Sequence, residues 1–134
     1  MYLKIYNNPV GFTRRVLGNA ACGLGDLQRA RNYLFQALDW AVKYKRKGHE
    51  FLALNGIATL LTAEGDKKRA IELLTMVLNH RSSWQIAKDY VTPLIAELED
   101  ELPSDIVAAA KERGTTRDLE STVAELLADL GESA

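Results

Sequence analysis

Cysteine, histidine, proline and aromatic residues are all scarce in this chain of 134 residues, and each shortage removes a class of structure or chemistry. The single cysteine, Cys22, permits no intrachain disulfide, so a reducing compartment is the expected setting. The two histidines, His49 and His80, lie far apart with no second histidine at i+3 or i+4. No helical metal pair exists, and neither a metal nor a cofactor is expected. Three prolines and nine glycines argue against a loop-rich or disordered chain. No apolar run approaches the roughly 20 residues that span a bilayer, so no membrane partner is expected. The opening MYLKIYNNP has neither the n-region nor the h-region of a secretory signal, which makes a cytoplasmic location the expectation.

Catalytic motifs are equally sparse. Gly18, Gly23 and Gly25 follow no strand pattern, and no Gly-Lys-Ser/Thr is present, so a phosphate loop is not supported. No Ser, His and Asp set can be singled out, and the carboxylates Glu97, Glu99, Asp100 and Glu101 have nothing apolar beside them to raise a pKa. An enzyme is not expected.

What the chain has instead is asymmetry of charge and periodicity of apolar residues. Its net charge of −1 conceals 14 Lys/Arg against 7 Asp/Glu in residues 1–96, and 3 against 11 in residues 97–134. Either these are solvated helix faces with an acidic end, or the basic part meets an acidic partner or the chain's own acidic end. Apolar residues recur at helical spacing almost throughout, and nothing alternates with period two. The expected fold is therefore all-α, with about seven helices in a single domain over 1–134. Residues 1–12 are expected to be irregular. Helices are expected over about 13–24, 27–47, 50–64, 67–80 and 84–101, then a short one from Pro103-Ser104-Asp105 to Gly114. A last helix is expected after Thr115-Thr116-Arg117-Asp118, ending near Leu130. Gly25, Gly48 and Gly65 are read as helix ends, Asp26 as an N-cap, and Pro93 as a kink or a new helix start.

The hexamers GDLQRA (25–30) and GDKKRA (65–70) lie forty positions apart, and their flanks repeat too. Leu17 meets Ile57, Ala21 meets Leu61, Leu34 meets Leu74 and Leu38 meets Leu78. A match of that kind marks a helix–turn–helix unit that needs neighbours to bury its face. The units fall at 13–48 and 49–82, with 83–134 holding a divergent copy and the C-terminal helices.

Leu17-Gly18-x2-Ala21…Ala30-x3-Leu34 and Ile57-Ala58-x2-Leu61…Ala70-x3-Leu74 resemble the tetratricopeptide signature. The longer period is similar to that of helical arrays in bacterial signalling ATPases and large transcriptional regulators. The resemblance implies a short right-handed α-solenoid in which second helices form the outer face. First helices would then line a groove for a peptide or partner protein.

On the first helix, Arg15, Asn19 and Cys22 share one face at i, i+4, i+7. Forty positions on, the same face carries Asn55, Thr59 and Thr62. If Trp84 opens a third unit, its stripe is Gln85, Asp89 and Thr92. These are the candidate groove residues, though the polar side of any amphipathic helix would look similar. The carboxylate grip of some tetratricopeptide co-chaperones is not expected here, because Gly56 and Ile86 stand where polar and basic residues are needed. The expected function is a non-catalytic interaction scaffold in bacterial signalling or regulation, with a homodimer as one way to cover open ends. The alternative is a transcription-regulatory module reaching nucleic acid through Lys43-Tyr44-Lys45-Arg46-Lys47 and Lys67-Lys68-Arg69, a weak signal since these cations fall at helix ends.

Overall fold

The computed structural model describes residues 9–80 and 85–133, of which the side chains of 9–13, 86 and 130–133 are not considered further. Every element among them is a helix: α1 (Pro9–Gly23), α2 (Leu27–Lys43), α3 (Lys47–Ala63), α4 (Lys67–Asn79), α5 (Gln85–Glu101), α6 (Ser104–Thr116) and α7 (Leu119–Ser133). Trp84 and Arg81 lie outside the described residues.

Three turns of one design join the first four helices. Gly25 (φ 83°), Lys45 (φ 56°) and Gly65 (φ 93°) occupy the left-handed region at even twenty-residue spacing. At each turn the left-handed residue donates its N–H three residues back, at 3.1 to 3.2 Å. The next N–H reaches five residues back, from Asp26 to Ala21, Arg46 to Ala41 and Asp66 to Leu61. This paired closure satisfies two carbonyls at a helix end and reverses the chain. Asp26 and Asp66 then cap α2 and α4, their carboxylates accepting from the Arg29 and Arg69 amides at 3.3 Å. Arg46 takes the same backbone position without any side-chain cap bond.

Several sequence expectations are corrected at this level. Helix α1 begins at Pro9, so the irregular segment expected through residue 12 is helical from its ninth residue. Proline suits a first helical position, where its absent N–H would have no helical acceptor. Helix α2 stops at Lys43, and the basic run forms the turn itself. Gly48 lies buried in the first turn of α3 and ends nothing. Pro93 sits inside a continuous α5, so it starts no new helix. Gly114 is buried within α6, which continues to Thr116, and α7 is capped by Asp118, which accepts from the Ser121 amide at 2.9 Å.

The core centres on α3. Twelve of its residues are buried, including Phe51, Leu54, Ile57 and Leu60, and it touches α1, α2, α4 and α5. A helix apolar over most of its circumference belongs in the interior, and only the Thr59 side of α3 stays open. Leu34 of α2 plugs the space between its neighbours: a Cβ at Gly18 would lie 2.6 Å from Leu34 Cγ, and one at Gly56 would lie 2.7 Å from Leu34 Cδ2. Those two glycines let α1 and α3 close around one leucine.

Helices α6 and α7 return across the second helices, α6 on α4 and α7 on α2. The outer face expected for α2 and α4 is therefore covered. Gly114 makes the α6 approach possible, since a Cβ there would stand 2.5 Å from the Glu72 carbonyl oxygen. Ion pairs follow the same route. Arg69 meets Asp129 at 3.0 Å, Arg113 meets Glu72 at 2.9 Å, and Lys67 pairs with Glu101. Of the charge readings, two cations of the basic part thus fold back on the chain's own acidic end. Arg69, which repeats Arg29 in sequence, is not equivalent to it in space.

Of the stripe expected inward on α1, only Ala21 is buried, while Val16, Leu17 and Leu24 are 44%, 42% and 86% exposed. Helix α1 has α2 and α3 on one side. The register places Leu17 where α3 carries the fully buried Ile57, so α1 keeps an interior-type pattern at the edge of the packed helices. Leu78, also expected inward, is exposed on α4.

Candidate groove between α1, α3 and α5

Short reversing turns make α1 and α3 parallel to each other. Lys67 at the start of α4 pairs with Glu101 at the end of α5, which sets α5 antiparallel to α4 and parallel to α3. The three parallel helices enclose a groove of about 710 Å³. Its floor is α3, through Leu52, Asn55, Gly56, Thr59, Thr62 and Ala63; α1 and α5 are its walls.

Arg15, Asn19, Cys22, Asn55, Thr59 and Thr62 all line this one groove. Gln85 and Asp89 do not. They are exposed and bonded to each other, Gln85 Nε2 donating to Asp89 Oδ1 at 2.8 Å. The α5 wall is instead Tyr90, Pro93, Leu94 and Glu97. Tyr90, Leu94 and Glu97 repeat the i, i+4, i+7 spacing of Asn55, Thr59 and Thr62 at an offset of thirty-five. The sequence register, anchored on Trp84, is five residues early. Leu94 carried the missing signal: it belongs to the apolar stripe of α5, and Tyr90 and Glu97 share its side of the helix.

The hydrogen bonds define what the floor offers. Asn55 is 7% exposed and donates Nδ2 to the Ala87 carbonyl at 3.0 Å, tying α3 to α5, while its Oδ1 has no hydrogen-bond partner. Thr59 Oγ1 donates to the Asn55 carbonyl at 3.2 Å, and Thr62 Oγ1 to the Ala58 carbonyl at 2.8 Å. A hydroxyl has one proton, so both threonines present only lone pairs outward. Asn19 approaches the α3 backbone where Gly56 leaves room, since an added Cβ would lie 2.8 Å from Asn19 Oδ1.

Charge is divided along the groove. Arg15 and Tyr90 stand at one end; Cys22, Thr62 and Glu97 stand at the other, about 10 Å away at 1.5 Å per residue. Burial lowers the Arg15 pKa, opposed by Tyr90, yet a guanidinium stays charged. Burial, helped by Glu64, pushes the Cys22 thiol up, which keeps it protonated and poorly nucleophilic. Among the described residues, no group of three or more His, Cys, Asp or Glu could hold a metal ion, and no helix is long and apolar enough to cross a membrane.

A second depression, lined by Glu72, Arg113, Arg117, Glu125 and Asp129, is a network of internal pairs. These groups are paired with one another. No family model, no curated protein and no solved structure matches the chain.

Proposed function

We propose that the chain is a non-catalytic interaction scaffold of the tetratricopeptide kind, whose groove between α1, α3 and α5 holds an extended segment of a partner protein. The observation that carries this reading is the convergence of six polar or small side chains, from two sequence repeats, on one groove. Small floor residues admit a backbone closely, and the outward lone pairs of Thr59 and Thr62 suit the N–H groups of an extended chain. The groove's walls combine apolar surface with a few placed polar groups, the usual make-up of a recognition cleft. A cytoplasmic, regulatory setting belongs to the same reading.

The test is affinity capture by the wild-type protein and by Thr59→Arg, which fills the groove from an exposed position without entering the core. Loss of captured partners with retained helicity supports the reading. Undiminished capture by the variant sinks it.

Self-association has one observation in its favour, the exposed Val16 and Leu17 on α1 and Leu24 in the turn after it. A second copy could cover that edge as α1 itself covers α3. Sedimentation of wild type against Leu17→Glu would show it, and an identical monomer for both removes it. The nucleic-acid alternative draws less support, since Lys67 and Arg69 are engaged by Glu101 and Asp129.

A further inference from the structure

We infer that the Glu97 end of the groove is a subsite for a basic side chain, arginine or lysine, of the docked segment; this rests on the docking role proposed above. The chemistry there is one-sided. Thr59 and Thr62 have committed their protons to the carbonyls of Asn55 and Ala58, so their oxygens can only accept. The carboxylate of Glu97 is exposed, and none of the described ion pairs engages it.

Among the described lining residues, no charged donor belongs to this end. The Cys22 thiol is a weak donor, and the guanidinium of Arg15 stands at the far end, where it repels a second cation and so sets the direction of the occupant. Leu94 and Pro93 line the α5 wall before Glu97, a fitting bed for the methylene stem of a long cationic side chain. A carboxylate, acceptors in excess of donors and an apolar approach together select a cation on a flexible stem over an acidic group.

The probe is a displayed library of random seven-residue peptides, selected in parallel against the wild type, Glu97→Gln, Glu97→Lys and Thr59→Arg. The expected result is a set of peptides lost with Thr59→Arg and sharing one Arg or Lys at a fixed position. For a synthesised member of that set, Glu97→Gln weakens affinity about tenfold or more, the scale of a charge-assisted hydrogen bond. With Glu97→Lys, selection moves to Asp or Glu at the same position. Groove-dependent peptides with no basic preference, or with affinity unchanged by Glu97→Gln, overturn the subsite and leave the docking groove standing. An absence of any peptide sensitive to Thr59→Arg overturns both.

Discussion

Asn55 Nδ2 donates to the Ala87 carbonyl oxygen at 3.0 Å, a buried side-chain bond that joins the middle of α3 to the first turn of α5. The bond aligns the floor of the groove with its α5 wall. The Ala87 carbonyl keeps its helical bond within α5, so truncation removes the inter-helix bond alone, a cost of about 0.5–1.5 kcal/mol. Asn55→Ala is therefore expected to unfold earlier in urea by that amount, with faster amide exchange in α5. A denaturation midpoint equal to wild type would show that the bond holds nothing.

The turn at Lys45 invites repair. It has the backbone of its two sister turns but neither the glycine nor the aspartate that suits it. A non-glycine residue in the left-handed region costs about 1–2 kcal/mol, and a missing N-cap about 1 kcal/mol. Writing the flanking motif into the middle turn, as Lys45→Gly/Arg46→Asp, should stabilise the chain by about 1–2 kcal/mol in the same urea titration. Gly25→Ala and Gly65→Ala should each destabilise it.

Two glycines inside helices should respond in opposite ways. At Gly23 an added Cβ meets nothing within 4 Å, so Gly23→Ala should be neutral or stabilising by up to about 1 kcal/mol. At Gly114 the Cβ would meet the Glu72 carbonyl at 2.5 Å and Thr75 Cβ at 2.8 Å. Neither is a flexible side-chain end. Gly114→Ala should cost about 1–3 kcal/mol by forcing α6 off α4. Thermal unfolding of both variants compares them directly.

His49 lends the fold an acid sensitivity. Its ring packs edge-on to Trp40 at 5.6 Å, and burial, then the charges of Arg15 and Arg46, hold its pKa below the ordinary 6.5. The unfolded chain thus binds the proton more readily than the folded one. This contribution is complete above pH 6.5 and is lost as pH falls through 6.5 toward the lower folded value. His49→Gln should flatten the stability profile in that window, and a wild-type slope in the variant would contradict the assignment.

How much of this was legible before folding follows from the kind of interaction involved. The turns at Gly25-Asp26 and Gly65-Asp66 were readable because glycine and aspartate are what such geometry favours. The middle turn was not, because Lys45 carries no local preference for its conformation and is held there by the packing of α2 on α3. The α1 and α3 stripes of the groove followed from helical spacing. The α5 stripe was misplaced because Trp84 offered a false anchor, while the true register depends on the long-range contact of Asn55 with Ala87. The return of α6 and α7 rests on Gly114 fitting over Glu72 and on Arg69 reaching Asp129. Both are pairings between residues too distant in sequence for periodicity to reveal.

The central claim is that a partner segment lies in the groove over Thr59. A photo-crosslinking residue placed at Thr59, and as a control at exposed Ala108 on α6, reads this out with captured partners present. Covalent adducts from position 59, competed by groove-dependent peptide and absent from position 108, are the predicted result. Adducts from position 108 alone, or equally from both, would contradict it.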